Sequence, residues 1–161
     1  MDNDNSISHK HLSLIAEDYL RRHGYYVVAR EINTGCGEIP DAIGFKYSRS
    51  ALIECKTSRS DFFADFKKQS RQPGNGVGNY RYYLCKDGLI KKVELPAGWG
   101  LIYVMPDGKC RTIKGPASGC FGGSMYHESD LKLERNILLE YIRVVHEDKA
   151  IMRKETLNAK I

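Results

Sequence analysis

At 161 residues the chain has the length of one domain and enough of it to bury a core without disulfide or metal staples. With 42% hydrophobic and 28% charged residues it has the composition of a soluble globular protein; no apolar run reaches the length of a membrane span, and the polar start "MDNDNSISHKH" lacks the apolar centre of a signal peptide. A formal net charge of +5 admits a polyanionic partner without demanding one.

In chain order, Leu12, Ile15, Ala16, Tyr19 and Leu20 recur at helical spacing, and Gly24 follows as a stop, which predicts a helix over residues 9–22. "YYVVARE" is β-branched and aromatic, hence a strand, and "NTGCGEIP" is a loop. "DAIGFKY" and "ALIECKT" read as a hairpin turned near residues 48–50. "SRSDFFADFKKQSR" turns helical, with Ser58 and Asp61 at capping-box spacing and Phe62, Phe63 and Phe66 as its buried stripe. The loop "QPGNGVGN" has no P-loop context and reads as a mobile segment able to close over a substrate. The strand "YRYYLC" comes next, its tyrosines on both faces and one set packed in the core. "GLIYVMPDGKCRTI" is a hairpin turned at Pro106-Asp107-Gly108. After a Gly-rich connection, a helix over about 129–148 carries Leu138, Tyr141, Ile142 and Val145 on one face, and the last dozen residues fray. That apolar face serves either the core or a homodimer.

The order is helix, three strands, helix, strand, hairpin and helix: an α/β fold with a mixed central sheet flanked by helices. One domain spans 1–161, with a core over about 9–114 and a C-terminal helical extension over about 115–161. The cysteines, five and without a CxxC pair, read as reduced thiols of a cytoplasmic protein. Cys110, Cys120 and His127 match no zinc template well.

The chemistry concentrates in "EIPDAIGFKYSRSALIECKTS". Residues two apart on a strand point the same way, so Glu54 and Lys56 share a face while Ile53 and Cys55 point to the other. Asp41 opens the neighbouring strand and converges on the face of Glu54. Two carboxylates so placed repel unless a cation joins them. With a backbone carbonyl and waters they make an oxygen shell suited to Mg²⁺, and an ammonium at its edge orients a water and offsets charge on a phosphate. The plainer reading of the same residues is a surface hairpin with a cross-strand ion pair.

"PD" at Pro40-Asp41 followed by "ECK" at Glu54-Cys55-Lys56 resembles the signature of the PD-(D/E)xK nuclease superfamily. "IECKTSRSDFFADFKK", the tyrosine-rich strand and "GWGLIYVMPDGKCRTI" are most similar to its MmcB-like DNA-repair branch and, more distantly, to archaeal Holliday-junction resolvases. ExK recurs at Glu147-Asp148-Lys149 and PD at Pro106-Asp107; only the first pair has its halves on adjacent predicted strands followed by a helix with a basic end. The resemblance covers about residues 9–114. It implies a restriction-endonuclease-like αβββαβ core and a Mg²⁺-dependent nuclease, with Mn²⁺ able to substitute, acting on DNA in repair or processing. Asp41, Glu54 and the Cys55 carbonyl would hold the metal and Lys56 would position the attacking water. Glu17 on the first helix is a further metal ligand by the same resemblance, with Asp18 as its alternative and Glu38 ranked behind.

Arg59, Lys67, Lys68, Arg71 and Arg81 are candidates for a rim that contacts the nucleic-acid backbone. The alternative functions are a nucleic-acid-binding module of the same fold without catalysis, or a scaffold that binds a protein through residues 115–161.

Overall fold

The computed structural model describes residues 7–35, 37–72, 74–116 and 123–158. Helix α1 (His9–Arg22) leads into strands β1 (Val27–Arg30), β2 (Ala42–Lys46) and β3 (Arg49–Lys56). Helix α2 (Arg59–Asp65), a 3-10 turn (Gln69–Arg71) and β4 (Tyr80–Lys86) follow. A second 3-10 turn (Lys92–Glu94), β5 (Trp99–Val104), β6 (Cys110–Lys114) and α3 (Leu131–Asn158) complete the chain. The protein is therefore α/β in the predicted αβββαβ order, with the added hairpin and long last helix.

The six strands form one mixed sheet in sequence order, β1 to β6. β1, β2 and β3 are antiparallel neighbours; β4 runs parallel to both β3 and β5; β6 returns antiparallel to β5. The parallel pairs require crossovers, supplied by α2 with its following loop and by residues 87–98.

Helix α1 starts where Ser8 Oγ accepts the His11 N–H at 3.2 Å and ends before Gly24, whose φ of +74° suits glycine. Its Leu12, Ala16 and Leu20 pack on the sheet face formed by Ala42, Ile53 and Cys55. The opposite face carries Ile43, Leu52, Tyr83 and Trp99 and is covered by Phe62 of α2 and Ile137 of α3. Glu54 and Lys56 project into this second layer. Gly100 is required by packing between the strands: a Cβ there would meet Tyr82 Cδ1 at 2.3 Å and the Lys114 carbonyl at 2.7 Å.

Five expectations change. The helix after Lys56 stops at Asp65, well short of Arg71, because the Lys67 and Lys68 amides close on Ala64 and Asp65 and Lys68 turns extended (ψ 137°). Phe62 alone of its phenylalanines is fully buried, Phe63 being 43% exposed. The last helix does not fray after 148 but continues to Asn158; no Gly or Pro interrupts it, and Arg143 pairs with both Glu140 and Glu147 along its surface. The loop expected to be mobile is tied down: the buried Arg81 guanidinium donates to the carbonyls of Gly78, Ser70 and Asn75, and the Gly78 amide donates to Glu134 at 3.0 Å. The tyrosines of β4 pack on both faces of the sheet and not on one, Tyr80 in the α1 layer and Tyr83 in the opposite one, 3% and 0% exposed. Among the described residues no helix is long and apolar enough to cross a membrane.

Candidate active site

β3 places Leu52, Glu54 and Lys56 on one face by its two-residue repeat, and the residues after β3 bring α2 over that face. Ser58 caps α2 by accepting the Asp61 N–H at 3.2 Å. One turn further, Asp65 points back at the sheet from the buried side of the helix, fully enclosed. Asp41 lies one residue beyond the Ala42–Ile53 pair of the β2–β3 ladder. Its Oδ2 accepts the Cys55 N–H at 2.6 Å, and its Oδ1 lies 3.3 Å from His9 Nε2 at the start of α1.

Glu54 and Lys56 are each 3% exposed by side chain, with Lys56 Nζ 3.7 Å from Glu54 Oε2. The ammonium is held more closely by Asp65 Oδ1, at 3.2 Å. Arg71, 4% exposed, donates to Asp65 Oδ2 at 2.6 Å, approaches Glu54 Oε2 at 2.8 Å and pairs with Glu38. Lys68 reaches Asp65 at 2.7 Å from the solvent side. Tyr83 donates its hydroxyl to Asp65 Oδ2 at 2.9 Å. Among the described residues, two buried side-chain oxygens have no hydrogen-bond partner, Glu54 Oε1 and Glu38 Oε2.

The two buried acids are pushed apart. Burial raises the Glu54 pKa, to about 7, with Asp41 and Glu38 adding to the shift and Arg71 and Lys56 opposing it. Burial also pushes Asp65 upward, but the Arg71 hydrogen bond and charge, joined by Lys68 and Lys56, outweigh it and hold the carboxyl well below the usual carboxylate range. Asp65 is thus a fixed anion, and Glu54 a carboxyl whose ionisation depends on the cations near it. The Cys55 thiol points to the α1 layer, where burial pushes its pKa up and leaves it an inert thiol.

The remaining candidates sit as follows. Both carboxylate oxygens of Glu17 are taken, Oε1 by Arg21 and Oε2 by Arg30, and Asp18 pairs with Arg22. Neither is among the charges that chiefly act on Glu54, whereas Glu38, ranked behind them in the sequence, is. Arg59 is engaged by Glu94 and the Leu89 carbonyl. Arg81 is 2% exposed and serves the loop carbonyls, so it forms no part of a surface rim. Arg71 lies inside the carboxylate cluster for the same reason: three acids bury it. Lys67 and Lys68 remain at the surface. His127 bonds the Gly98 carbonyl, and Cys120 lies outside the described residues together with Cys36. The described thiols Cys55, Cys85 and Cys110 are free.

Sequence reasoning misses Asp65. Its signal is an acid on the apolar stripe of an amphipathic helix, between Phe62 and Phe66. The contact of His9 with Asp41 has no local signal, since it joins the ends of two elements far apart in the chain.

The donor chemistry fits a small hard cation. Asp41 and Glu54 supply carboxylate oxygens from adjacent strands, and Glu54 Oε1 is a buried acceptor with nothing to accept from. Mg²⁺ is held by one or two carboxylates with several retained waters and needs no all-protein cage. No cluster of three or more His, Cys, Asp or Glu able to hold a metal occurs among the described residues.

The sequence matches no protein-family model, and no curated protein matches it. Among solved structures the fold is similar to a protein of unknown function from Silicibacter pomeroyi, with 20% sequence identity, 90% of each chain covered and a TM-score of 0.62. That likeness concerns the fold alone.

Proposed function

We propose that this protein is a metal-dependent nuclease of the PD-(D/E)xK type that hydrolyses phosphodiester bonds of DNA, in repair or processing. The observation that carries the reading is the buried Glu54 carboxyl, with an unpartnered oxygen, 3.7 Å from the Lys56 ammonium and acted on by the charge of Asp41. A carboxylate is seldom buried with an unused oxygen unless something outside the chain uses it.

In this reading Asp41, Glu54 and the Cys55 carbonyl hold Mg²⁺, or Mn²⁺ in its place. The bound ion supplies Lewis-acid polarisation of the phosphate and an acidified water. Lys56 orients that water and offsets negative charge at the phosphoryl oxygens. Asp65 sets the direction of Lys56: enclosed and fixed as an anion, it holds the ammonium at 3.2 Å on the face it shares with Glu54. The Cys55 N–H plays the same part for Asp41.

The test is cleavage of a panel of labelled duplex, nicked, branched and single-stranded DNA with Mg²⁺ or Mn²⁺, beside a calorimetric metal titration. Asp41→Ala is expected to lose both binding and cleavage. Lys56→Met, which keeps the apolar stem, is expected to keep metal affinity while single-turnover cleavage drops by about 10²–10³, the usual size of such an electrostatic contribution. Full activity in a folded Lys56→Met protein would sink the nuclease reading.

A second reading, a DNA-binding module without catalysis, draws support from the grip of Arg71 on Glu54. It expects DNA binding that no substitution at Lys56 turns into a difference in cleavage.

A further inference from the structure

Arg71 divides its donors among two carboxylates and a serine hydroxyl, and forms an ion pair with a third carboxylate. Nε gives its hydrogen to Asp65 Oδ2 at 2.6 Å; one terminal nitrogen serves Glu38 and Ser70 Oγ; the other serves Asp65 Oδ1 at 3.2 Å and Glu54 Oε2 at 2.8 Å. Five N–H groups are the whole inventory of a guanidinium. Three buried carboxylates offer it six oxygens, and the unmet remainder is seen directly: Glu54 Oε1 and Glu38 Oε2 have no partner. Glu38 and Glu54 each meet it through one oxygen, Glu38 by a hydrogen bond and Glu54 by an ion pair alone, whereas Asp65 is gripped through both of its oxygens. The guanidinium also lies over the Trp99 ring at 5.3 Å, and Trp99 stacks at 4.4 Å on Tyr83, whose hydroxyl bonds Asp65.

A buried carboxylate cannot stay ionised without a cation. With no metal bound, Arg71, 2.8 Å away, is the nearest cation to Glu54 whenever that carboxyl is ionised. A divalent ion held by Glu54 and Asp41 draws on the same carboxylate, so the two cations compete for it. We propose that Arg71 is the resident counter-ion of this site: a divalent cation exchanges with it at Glu54, while Asp65 and Glu38 keep the guanidinium in place. The inference rests on the metal-site reading above. It makes Arg71 a positioning residue that sets how tightly the site takes its cation. It also gives the exchange an optical reporter, because Trp99 is the single tryptophan of the chain.

The experiment is a Mg²⁺ titration of the full chain followed by calorimetry and by Trp99 emission, on wild type, Asp41→Asn, Arg71→Met and Arg71→Lys. Wild type is expected to bind Mg²⁺ with an emission change of the same midpoint, and Asp41→Asn to lose both. Arg71→Met is expected to bind Mg²⁺ at least tenfold more tightly with the emission change abolished, and its melting temperature to rise with Mg²⁺ more than that of wild type. Should Arg71→Met fail to fold, Arg71→Lys, with fewer donors and a shorter reach, is expected to bind more tightly than wild type. Binding by Arg71→Met but not by wild type also supports the exchange. Asp41-dependent binding with a silent Trp99 and an affinity unchanged by either Arg71 variant overturns the exchange and leaves the metal site standing. No Mg²⁺ binding by any folded variant removes the metal site itself, and the exchange with it.

Discussion

Glu54 and Asp65 lie in one cluster and share the cations Arg71 and Lys56, yet their protons behave oppositely. For Glu54, burial dominates and carries the carboxyl from an ordinary value of 4.5 to about 7. In the folded chain it therefore keeps a proton that the unfolded chain has released, at every pH between those values. Stability must fall as pH rises through that window and level off above it. Asp65 contributes with the other sign, since its depressed pKa stabilises the fold above the unfolded value of 3.8 and that stability is lost only in more acid solution. The two effects separate on the pH axis. Glu54→Gln, isosteric and uncharged, should remove the fall between pH 5 and pH 8. The gap between wild-type and variant unfolding free energies should change across that range by on the order of 3 kcal/mol. Urea unfolding at several pH values measures it, and parallel curves for the two proteins would show that burial does not govern this carboxyl.

Helix α3 is tied to the sheet by a buried polar contact. Glu134 Oε1 accepts from Ser50 Oγ at 2.5 Å and from the Gly78 amide at 3.0 Å, and so joins the helix, the start of β3 and the loop before β4. Glu134→Ala removes the acceptor of the Gly78 amide and leaves the Ser50 hydroxyl only Asn79 Oδ1, and it should cost about 1–3 kcal/mol in urea unfolding. Amide exchange should quicken at Gly78 and in the first turns of α3; a loss of stability without that local change would place the effect elsewhere. The elements themselves are legible in the sequence where local signals agree. α1 has an apolar stripe and a stop glycine, and the turn at residues 106–108 has its Pro-Asp-Gly. The end of α2 is not legible, because no glycine or proline marks the point where the Lys67 and Lys68 amides close on Ala64 and Asp65 and Lys68 turns extended. The position of β4 between two parallel neighbours is likewise hidden, since crossovers leave no mark in the strand's own sequence. Within the site, the shared face of Glu54 and Lys56 follows from the two-residue repeat alone. The roles of Arg71 and Arg81 do not, because nothing local distinguishes an arginine that will be enclosed by carboxylates or carbonyls from one that will face water.

On the scale of the molecule, that distinction redraws the basic surface. The net charge of +5 is compatible with a polyanion, but two of the arginines expected to meet it are buried and Arg59 is engaged by Glu94. Of the cations expected in the rim, Lys67 and Lys68 remain exposed, the second 53% exposed and 2.7 Å from Asp65. If DNA approaches the cluster from this side, these two meet its phosphates first. Lys67→Gln with Lys68→Gln should then weaken duplex binding and reduce the slope of log affinity against log salt by about 0.9 for each phosphate no longer neutralised, and by about two for the pair. Fluorescence anisotropy over a salt series, in the Lys56→Met background so that the DNA stays intact, gives that slope. Arg81→Gln is the informative contrast. It removes one formal charge as well, but a charge spent on the carbonyls of Gly78, Ser70 and Asn75. It should lower stability and loosen the 72–79 loop while leaving the salt slope of the folded protein unchanged. A slope that falls for Arg81→Gln and not for the lysine pair would mean that the nucleic acid approaches by another face of the molecule.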